Sequence, residues 1–336
     1  MLVAGIGAAL LALTGALLPV PYVVLSPGPT FNTLGAVNGK PLITVAGHPV
    51  YPAVGHLNLV TVSYQGGPGD EINLYTALRF WLSPHDAVVP QEELFGANSN
   101  PKQVQQQNVQ EMTDSQQLAT AAALRELKIG FTTVVTVAGT VKGMPAHSVL
   151  RAGDVITAVD GTPVSSAGKA AALIRGRHPG APIGLTISRG GRARAVRLVS
   201  RSQRGQAVIG VYVSEQFRFP FTVQIRVGDI GGPSAGMMFA LGLVDKLTPG
   251  DLTGGRFVAG TGEIDAGGNV GAIGGIQQKL VGARDEGATI FLAPAGNCSD
   301  VRGNIPPGLR VVKVGTLSQA VQDLDAIKAG RSVPSC

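Results

Sequence analysis

A glycine-rich stretch from Gly231 to Gly287 sets the strongest limits on how this chain can fold. It opens with Gly231-Gly232-Pro233-Ser234-Ala235-Gly236 and continues into an apolar run, Met237 to Leu241. Proline suits the first position of a helix, where its missing N–H removes no hydrogen bond. The pattern therefore predicts a turn that leads into a buried helix. Ser234 is expected in the first helical turn, among N–H groups that have no partner inside the helix.

Ser234 has two interpretations, a cap of a buried helix or a nucleophile. The N-terminus of a helix favours negative charge, and backbone N–H groups near Ser234, Gly231 and Gly232 could hold an oxyanion. The run also fits the G-x-S-x-G nucleophile elbow, in which an acid and a histidine follow the serine. No histidine follows Ser234, because the five histidines are His48, His56, His85, His147 and His178.

A lysine is the other available base, as Ser-Lys enzymes show. The lysines after Ser234 are Lys246, Lys279, Lys313 and Lys328. Lys246 lies on the same predicted helix, roughly 18 Å from the serine at ~1.5 Å per residue, and cannot reach it. Lys279 follows a Gly-Gly turn and belongs to an amphipathic helix that contains Ile276 and Leu280. Burial there would lower its pKa towards a value that suits a general base.

Three ordered motifs resemble the proteolytic domain of Lon proteases: the Gly232–Gly236 run, then Thr261-Gly262-Glu263-Ile264, then Ile273 to Leu280. The resemblance covers about residues 228–330. It implies an α+β proteolytic domain, assigned to residues 221–331, in which Ser234 and Lys279 form a catalytic dyad and Thr261 orients Lys279. Many Lon proteases have an Asp three residues before the serine. This chain has Gly231 there, and Asp229 is out of register.

A second module lies upstream of the dyad. Its segments Gly153-Asp154-Val155-Ile156 and Val159-Asp160-Gly161, with a predicted helix at 170–174, resemble a PDZ domain of the bacterial protease type. The resemblance implies a small β-sandwich with helices, assigned to residues 111–203 with a leading helix. Such domains add a peptide strand to an open sheet edge and hold its carboxylate on backbone N–H groups. Ile129-Gly130-Phe131 is the candidate carboxylate loop; the alternative is an ordinary strand start.

The N-terminal residues 1–24 are almost wholly apolar, and no charged residue precedes Lys40. They predict a transmembrane helix or signal anchor that ends near Pro19. A cleaved signal peptide and a buried core helix are the alternatives. Residues 25–110 are predicted to form a β-rich extracytoplasmic segment, with strands at 42–45 and 57–62, that ends in a polar connector at residues 98–110.

Composition narrows the classes of partner. Hydrophobic residues make up 44% of the chain and charged residues 14%, which fits a globular protein with a membrane segment rather than a disordered chain. The net charge of +6 does not indicate nucleic acid as a partner.

A run of arginines from Arg189 to Arg204 predicts a solvated strand face, with contact to anionic lipid or to nucleic acid as alternatives. Cys298 and Cys336 are predicted to form a disulfide outside the cytoplasm; two free thiols are the alternative.

The combination resembles the PDZ-containing Lon-like proteases of bacteria. The sequence therefore predicts a membrane-anchored, single-pass, extracytoplasmic serine endopeptidase with the Ser234–Lys279 dyad and no need for ATP, cofactor or metal. Its expected partners are protein or peptide substrates, the membrane through the N-terminal segment, and further copies of the chain. Nucleic acid is not expected. The competing hypothesis, favoured by Gly231, is a peptide-binding scaffold whose Lon-like domain is catalytically weak.

Overall fold

The computed structural model describes residue 6 and residues 13–96, 99–228 and 230–336. The chain divides into two compact units. The discontinuous unit combines Met1–Ile129 with Phe221–Cys336, and the inserted unit is Gly130–Pro220.

The secondary structure elements follow in chain order. The strands are β1 (Pro19–Val20), β2 (Tyr22–Asn32), β3 (Ala36–Val37), β4 (Lys40–Pro41), β5 (Ile43–Ala46), β6 (His56–Gln65), β7 (Ile72–Asn73), β8 (Ala87–Pro90), β9 (Thr132–Thr140), β10 (Val155–Val159), β11 (Thr162–Pro163), β12 (Pro182–Arg189), β13 (Arg192–Val199), β14 (Arg201–Gln203), β15 (Gln206–Val208), β16 (Val211–Arg218), β17 (Thr222–Ile225), β18 (Phe257–Gly260), β19 (Glu263–Ile264), β20 (Val270–Gly271), β21 (Ile290–Pro294) and β22 (Arg310–Val314). The helices are α1 (13–17), α2 (Leu74–Trp81), α3 (Gln91–Phe95), α4 (Pro101–Glu126), α5 (Ala167–Arg175), α6 (Gly236–Leu247), α7 (Ile276–Asp285), α8 (Cys298–Val301) and α9 (Leu317–Lys328), with short 3-10 turns at Pro145–Ser148 and Ala295–Asn297.

A mixed sheet with the order β22-β21-β18-β6-β2-β8 forms the centre of the discontinuous unit. The four strands from β22 to β6 are parallel, whereas β2 and β8 join antiparallel. All five residues of β21 are buried, as expected for a strand inside a parallel sheet. Strand β6 comes from before the inserted unit and pairs with β18 from after it. The two parts of the chain therefore share one sheet.

Helix α6 is buried over almost its whole length and contacts α4, α9 and β6. Helix α4 begins where Asn100 accepts a hydrogen bond from the N–H of Gln103, with Pro101 in the first helical position. Residues 101–110, interpreted from their polar composition as a connector, are thus the first turns of this helix. Glutamine is polar but favours helix, so composition alone did not reveal it.

The predicted transmembrane helix at residues 1–24 is wrong for the part of the chain that the structure describes. None of the described helices is long and apolar enough to cross a membrane. Helix α1 ends at residue 17, and β1 and β2 occupy the rest of the segment. Proline lacks a backbone N–H and cannot continue a helix, so Pro19 and Pro21 turn the chain into strands whose apolar side chains pack on Ile72 and Ala77. Residues 1–5 and 7–12 lie outside the described residues.

The inserted unit is built on an antiparallel sheet with the order β13-β12-β10-β9-β16, to which β11 adds beside β10. Its core contains Ile156, Ile183, Leu185 and Ile187, with helix α5 packed through Ala170 and Ile174. Strand β16 lies at one edge of this sheet and pairs with β9 alone among the described strands.

Candidate active site

The nucleophile loop, defined here as residues 231–235, leads into helix α6. Ser234 lies two residues before the helix, which begins at Gly236, rather than in its first turn as the sequence predicts. Gly232 has a positive φ of 84°, and the N–H of Gly236 donates to the carbonyl of Pro233 at 3.3 Å. This turn delays the helix and leaves the Ser234 side chain on the wall of a cleft.

Lys279 reaches this serine from helix α7. Its Nζ lies 2.8 Å from Ser234 Oγ. Helix α7 is capped by Gly275 at a positive φ of 67°, and a Cβ at that position would lie 2.7 Å from Cγ2 of Val62. A glycine is therefore required at the turn that brings the lysine helix against β6.

Thr261 joins the two residues. Its hydroxyl donates to the Ser234 carbonyl at 2.9 Å and lies 3.0 Å from Lys279 Nζ. The N–H of Gly262 donates to the same carbonyl at 2.8 Å. Since Thr261 is only 1% exposed, it holds both the serine backbone and the lysine side chain in place.

Burial controls the charge of Lys279, which is 3% exposed. Desolvation lowers the pKa of its ammonium to about 8, and the nearby Glu263 carboxylate opposes this shift. A lowered pKa makes the neutral amine available near physiological pH, which is the form that can take a proton from a hydroxyl.

Helix α4 holds the nucleophile loop from the other side. The hydroxyl of Ser115, which is 2% exposed, donates to the Pro233 carbonyl at 3.0 Å. The N–H of Gly232 donates to the Asn108 carbonyl at 3.2 Å, so this predicted oxyanion donor has a backbone partner in the structure. Sequence reasoning missed Ser115 and Asn108, because no local pattern shows which helix packs on the loop.

The same packing explains Gly231, the residue that stands where many Lon proteases have Asp. A Cβ at Gly231 would lie 2.7 Å from the Cβ of Asn108. The close approach of α4 therefore excludes a side chain there. Asp229, the nearest carboxylate in sequence, lies outside the described residues.

Ser234 and Lys279 line a cleft of about 910 Å³. Strand β6 pairs with β18 from His56 to Leu59. Beyond Leu59 this edge of β6 has no partner among the described strands, and residues 61–64 line the cleft. The cleft therefore offers backbone groups of an open strand edge beside Ser234 and Lys279. Such an edge can pair with an extended peptide.

The predicted carboxylate loop, Ile129-Gly130-Phe131, does not line the groove of the inserted unit. The N–H of Ile129 donates to the Leu124 carbonyl at the end of α4, and Phe131 packs on Phe217 and Phe219. A groove of about 690 Å³ runs instead between α5 and the free edge of β16. The turn that precedes β16 contains Ile209-Gly210-Val211, the same apolar-Gly-apolar pattern in front of an alternating strand, which is the signal that could have identified it.

Cys298 and Cys336 are joined by a disulfide, with their Cα atoms 5.0 Å apart. The disulfide ties Cys336 to the start of α8.

Among the described residues no group of three or more His, Cys, Asp or Glu side chains is placed to hold a metal ion.

Comparison with known proteins identifies two regions of the chain. Residues 222–327 match the profile of the Lon protease (S16) C-terminal proteolytic domain, and residues 104–199 match that of a PDZ domain. The Lon protease of Heliobacterium modesticaldum is 37% identical over 95 residues, which are 27% of this chain and 11% of that protein. Lon protease 1 of Bacillus subtilis is 42% identical over 79 residues, 24% of this chain and 10% of that protein. The matched segment is thus about a tenth of the length of these relatives.

A solved PDZ domain is also similar in sequence. The PDZ domain of the SdrC-like protein from Listeria monocytogenes is 25% identical, in a match that covers 24% of this chain and 85% of that chain with a TM-score of 0.23.

Proposed function

Because this chain contains a Lon-type proteolytic domain and a PDZ domain, we propose that it is a serine endopeptidase with Ser234 as nucleophile and Lys279 as general base. The observation that supports this most directly is the 2.8 Å distance between Lys279 Nζ and Ser234 Oγ. A second support is the lowered pKa of the same lysine.

The proposed reaction begins when the neutral amine of Lys279 accepts the hydroxyl proton of Ser234. The Ser234 oxygen attacks the peptide carbonyl carbon, and the resulting oxyanion is stabilised by backbone N–H groups of the nucleophile loop. The ammonium of Lys279 then gives its proton to the leaving amine, and an acyl-enzyme forms. Water then attacks the acyl carbon while Lys279 accepts one of its protons, the bond to Ser234 Oγ breaks, and Lys279 returns the proton to that oxygen as the acid product leaves.

Thr261 is proposed to orient the base. Its hydroxyl hydrogen is directed to the Ser234 carbonyl, so the Thr261 oxygen is left to accept a hydrogen bond from Lys279. This contact uses an N–H of the amine and leaves its lone pair for the Ser234 hydroxyl.

The open edge of β6 supports an extended substrate. A peptide that pairs with residues 61–64 would pass the dyad within the same cleft, and backbone pairing accepts many sequences. A strand edge that is not closed at its ends can hold the middle of a substrate chain. We therefore propose that the protein is an endopeptidase, which cleaves inside a chain. We propose that the groove between α5 and β16 captures a second, C-terminal segment of the substrate.

We further propose that catalysis needs no nucleotide, and that the protein works in an oxidising compartment outside the cytoplasm. The sequence has only a loose phosphate-loop pattern at residues 35–40, with Leu34 in the place of the first glycine and Pro41 in the place of the hydroxyl residue. The Cys298–Cys336 disulfide supports the compartment, because such bonds persist outside the reducing cytosol.

The test is covalent labelling by a peptide aldehyde together with peptide hydrolysis. Wild-type protein should form an adduct at Ser234, located by mass spectrometry, and should cleave peptides without added nucleotide. Ser234→Ala and Lys279→Ala should each lose activity, and the double variant should be little worse, because members of one catalytic unit are not additive. Substantial hydrolysis by Lys279→Ala would contradict the assignment of the base.

A further inference from the structure

The inserted unit has a large excess of positive charge. Residues 130–220 contain twelve Lys or Arg residues and three acidic residues, a net charge of +9, whereas the whole chain has +6. The rest of the chain is therefore negative overall. The cationic residues of the unit are Lys142, Arg151, Lys169, Arg175, Arg177, Arg189, Arg192, Arg194, Arg197, Arg201, Arg204 and Arg218.

Each of the three acidic side chains in this unit has a partner. Asp154 is paired with Arg189 at 2.6 Å, and Asp160 with Arg177 at 2.8 Å. Glu215 accepts a hydrogen bond from the first N–H of α5, at Ala167. The acidic groups therefore neutralise only a minority of the cationic side chains.

Two of the remaining arginines line the groove between α5 and β16. Arg175 ends helix α5, and Arg201 begins the neighbouring strand β14; both are exposed. Helix α5 runs antiparallel to β16, because its first residue contacts Glu215 late in β16 and the helix also packs on β15, which ends at Val208 just before Gly210. Arg201 pairs with the same Val208 across the β14–β15 hairpin. The two guanidinium groups therefore lie at the Gly210 end of the groove.

That end is where the carboxylate of a bound peptide would lie. A peptide that adds antiparallel to β16 has its C-terminus towards the start of that strand, beside the turn at Ile209-Gly210. The C-terminal carboxylate of a peptide can form a bidentate pair with only one of the two guanidinium groups. The other guanidinium group is then available for a second anionic group close to the C-terminus. Glu215, the one acidic residue of β16, does not line the groove.

We propose that this groove selects peptides with acidic residues next to a free C-terminal carboxylate, and that Arg175 and Arg201 determine this selectivity. The proposal rests on the proposed function of the groove as a peptide site. The apolar floor formed by Ala170, Ala171 and Ile174 accepts the last side chain. The excess charge of the unit steers anionic peptides towards it and raises their association rate.

The probes are three short fluorescent peptides with the same length and an identical final valine. Their two preceding residues are Glu-Asp, Gln-Asn or Lys-Lys, and the acidic peptide is also made with an amidated C-terminus. Binding to the full chain is followed by fluorescence anisotropy in the Ser234→Ala background, which prevents cleavage. The acidic peptide should bind about 10-fold more tightly than the neutral one. This advantage should shrink as salt rises, because exposed charges are screened.

The matched variants are Arg175→Glu/Arg201→Glu in the groove and Arg192→Glu/Arg194→Glu on β13, which does not line the groove. Both pairs change the net charge equally. The double variant in the groove should lose the preference for the acidic peptide but still bind the neutral peptide. The double variant on β13 should keep the preference for the acidic peptide. Equal losses in both pairs would overturn the role of Arg175 and Arg201.

Two further outcomes separate the possible failures. Equal binding of the acidic and neutral free-carboxylate peptides would refute the charge selectivity and leave peptide capture intact. Failure of all four peptides would refute peptide capture by the groove itself. Vesicles of equal phosphatidylglycerol and phosphatidylcholine provide the last arm: tight vesicle binding without any peptide preference would assign the positive charge to a lipid surface and overturn the proposal.

Discussion

At the scale of single residues, the candidate site depends on a lysine held where its charge is unfavourable. Lys279 is surrounded by protein, and among the described residues its two side-chain partners within hydrogen-bond distance are the hydroxyls of Ser234 and Thr261. Neither hydroxyl provides a counter-charge. The exposed Glu263 acts only as a more distant influence on the same pKa. The neutral amine is therefore favoured at a pH well below the usual range for lysine.

The first prediction concerns the pH dependence of peptide hydrolysis. With a Lys279 pKa of about 8, kcat/KM should rise with pH through that region and level off above it, because only the neutral amine accepts the serine proton. Glu263→Gln should move the profile to lower pH, since the carboxylate raises the lysine pKa. The measurement is initial rate against pH with a short peptide. A rate that stays flat from mildly acidic to alkaline pH, with chemistry limiting, would contradict the role of Lys279.

The second prediction concerns stability. The folded-state pKa of Lys279, about 8, is below its ordinary value of 10.5. The unfolded chain therefore binds more protons between these values, and stability rises with pH across that window. At a pH below this window, the buried charge of Lys279 lowers the free energy of unfolding by roughly 3 kcal/mol. The two hydrogen bonds that Lys279 donates offset part of this cost. Lys279→Met should thus be inactive yet more stable by ~1–3 kcal/mol at neutral pH.

Thermal unfolding against pH measures this effect. The gain from Lys279→Met should fade as the pH approaches the ordinary lysine value. Lys313→Met is the control, because Lys313 is exposed on β22 and its replacement should leave stability almost unchanged. A Lys279→Met protein that is less stable than the parent at neutral pH would mean that its hydrogen bonds outweigh its burial.

At the scale of elements, helix α4 is the support of the nucleophile loop. It comes from before the inserted unit, yet its Ser115 hydroxyl and Asn108 carbonyl bind the loop that contains Ser234. The segment that matches the Lon proteolytic domain begins only at residue 222. The supporting contacts therefore come from outside that segment.

The third prediction tests this support. Ser115→Ala removes the shorter of two hydrogen bonds to the Pro233 carbonyl, the other being from the N–H of Gly236, and costs about 1 kcal/mol of stability. The loop should also lose part of its alignment, so kcat should fall by about 10-fold while KM changes little, since misplacement acts on the chemical step. Thr113→Ala is the matched control, because the Thr113 hydroxyl donates only to its own helix at Val109. Equal effects of the two changes would remove any special role for Ser115.

Local sequence was sufficient for some elements and not for others. The strands around 43–46 and 56–65 follow from alternating apolar residues, and the motif order anticipated that Ser234, Thr261 and Lys279 would meet. The predicted transmembrane helix is not found among the described residues, where the apolar side chains of residues 19–24 belong to strands rather than to a helix. The partner of β6 and the helix behind Ser234 depend on contacts between distant parts of the chain, which no local pattern encodes.

The groove of the inserted unit illustrates the same limit. Two segments, Ile129-Gly130-Phe131 and Ile209-Gly210-Val211, have the same pattern of apolar residues around a glycine. Only the sheet order decides between them, because β16 is an edge strand next to α5, whereas Phe131 packs with other aromatic rings. Strand order is a property of the whole sheet and cannot be read from three residues.

At the scale of the whole molecule, a contiguous unit that contains most of the PDZ match, called the PDZ unit below, is inserted into a discontinuous unit that contains the Lon-type match. The cleft, Ser234, Lys279 and the contacts that hold them all belong to the discontinuous unit. The proposed sites of catalysis and of peptide capture therefore lie in different units of one chain.

The fourth prediction follows from this division. Deleting residues 130–220, with a short linker in their place, should spare cleavage of small peptides and lower cleavage of proteins with a matching C-terminus by at least about 10-fold, because a tethered substrate experiences a raised local concentration. Both substrates are assayed on the same folded variant. Equal losses on both, together with lower thermal stability, would instead identify the PDZ unit as a structural support.

The insertion also has a consequence for how the protein is made. Synthesis proceeds from the N-terminus, and domains generally fold as units when complete. Strand β6 and helix α4 leave the ribosome first but must wait for β18, α6 and α7, all encoded beyond residue 221. The PDZ unit can finish folding in the meantime. Residues 130–220 are therefore complete before Lys279 has been translated, so the inserted unit can fold before Ser234 and Lys279 meet.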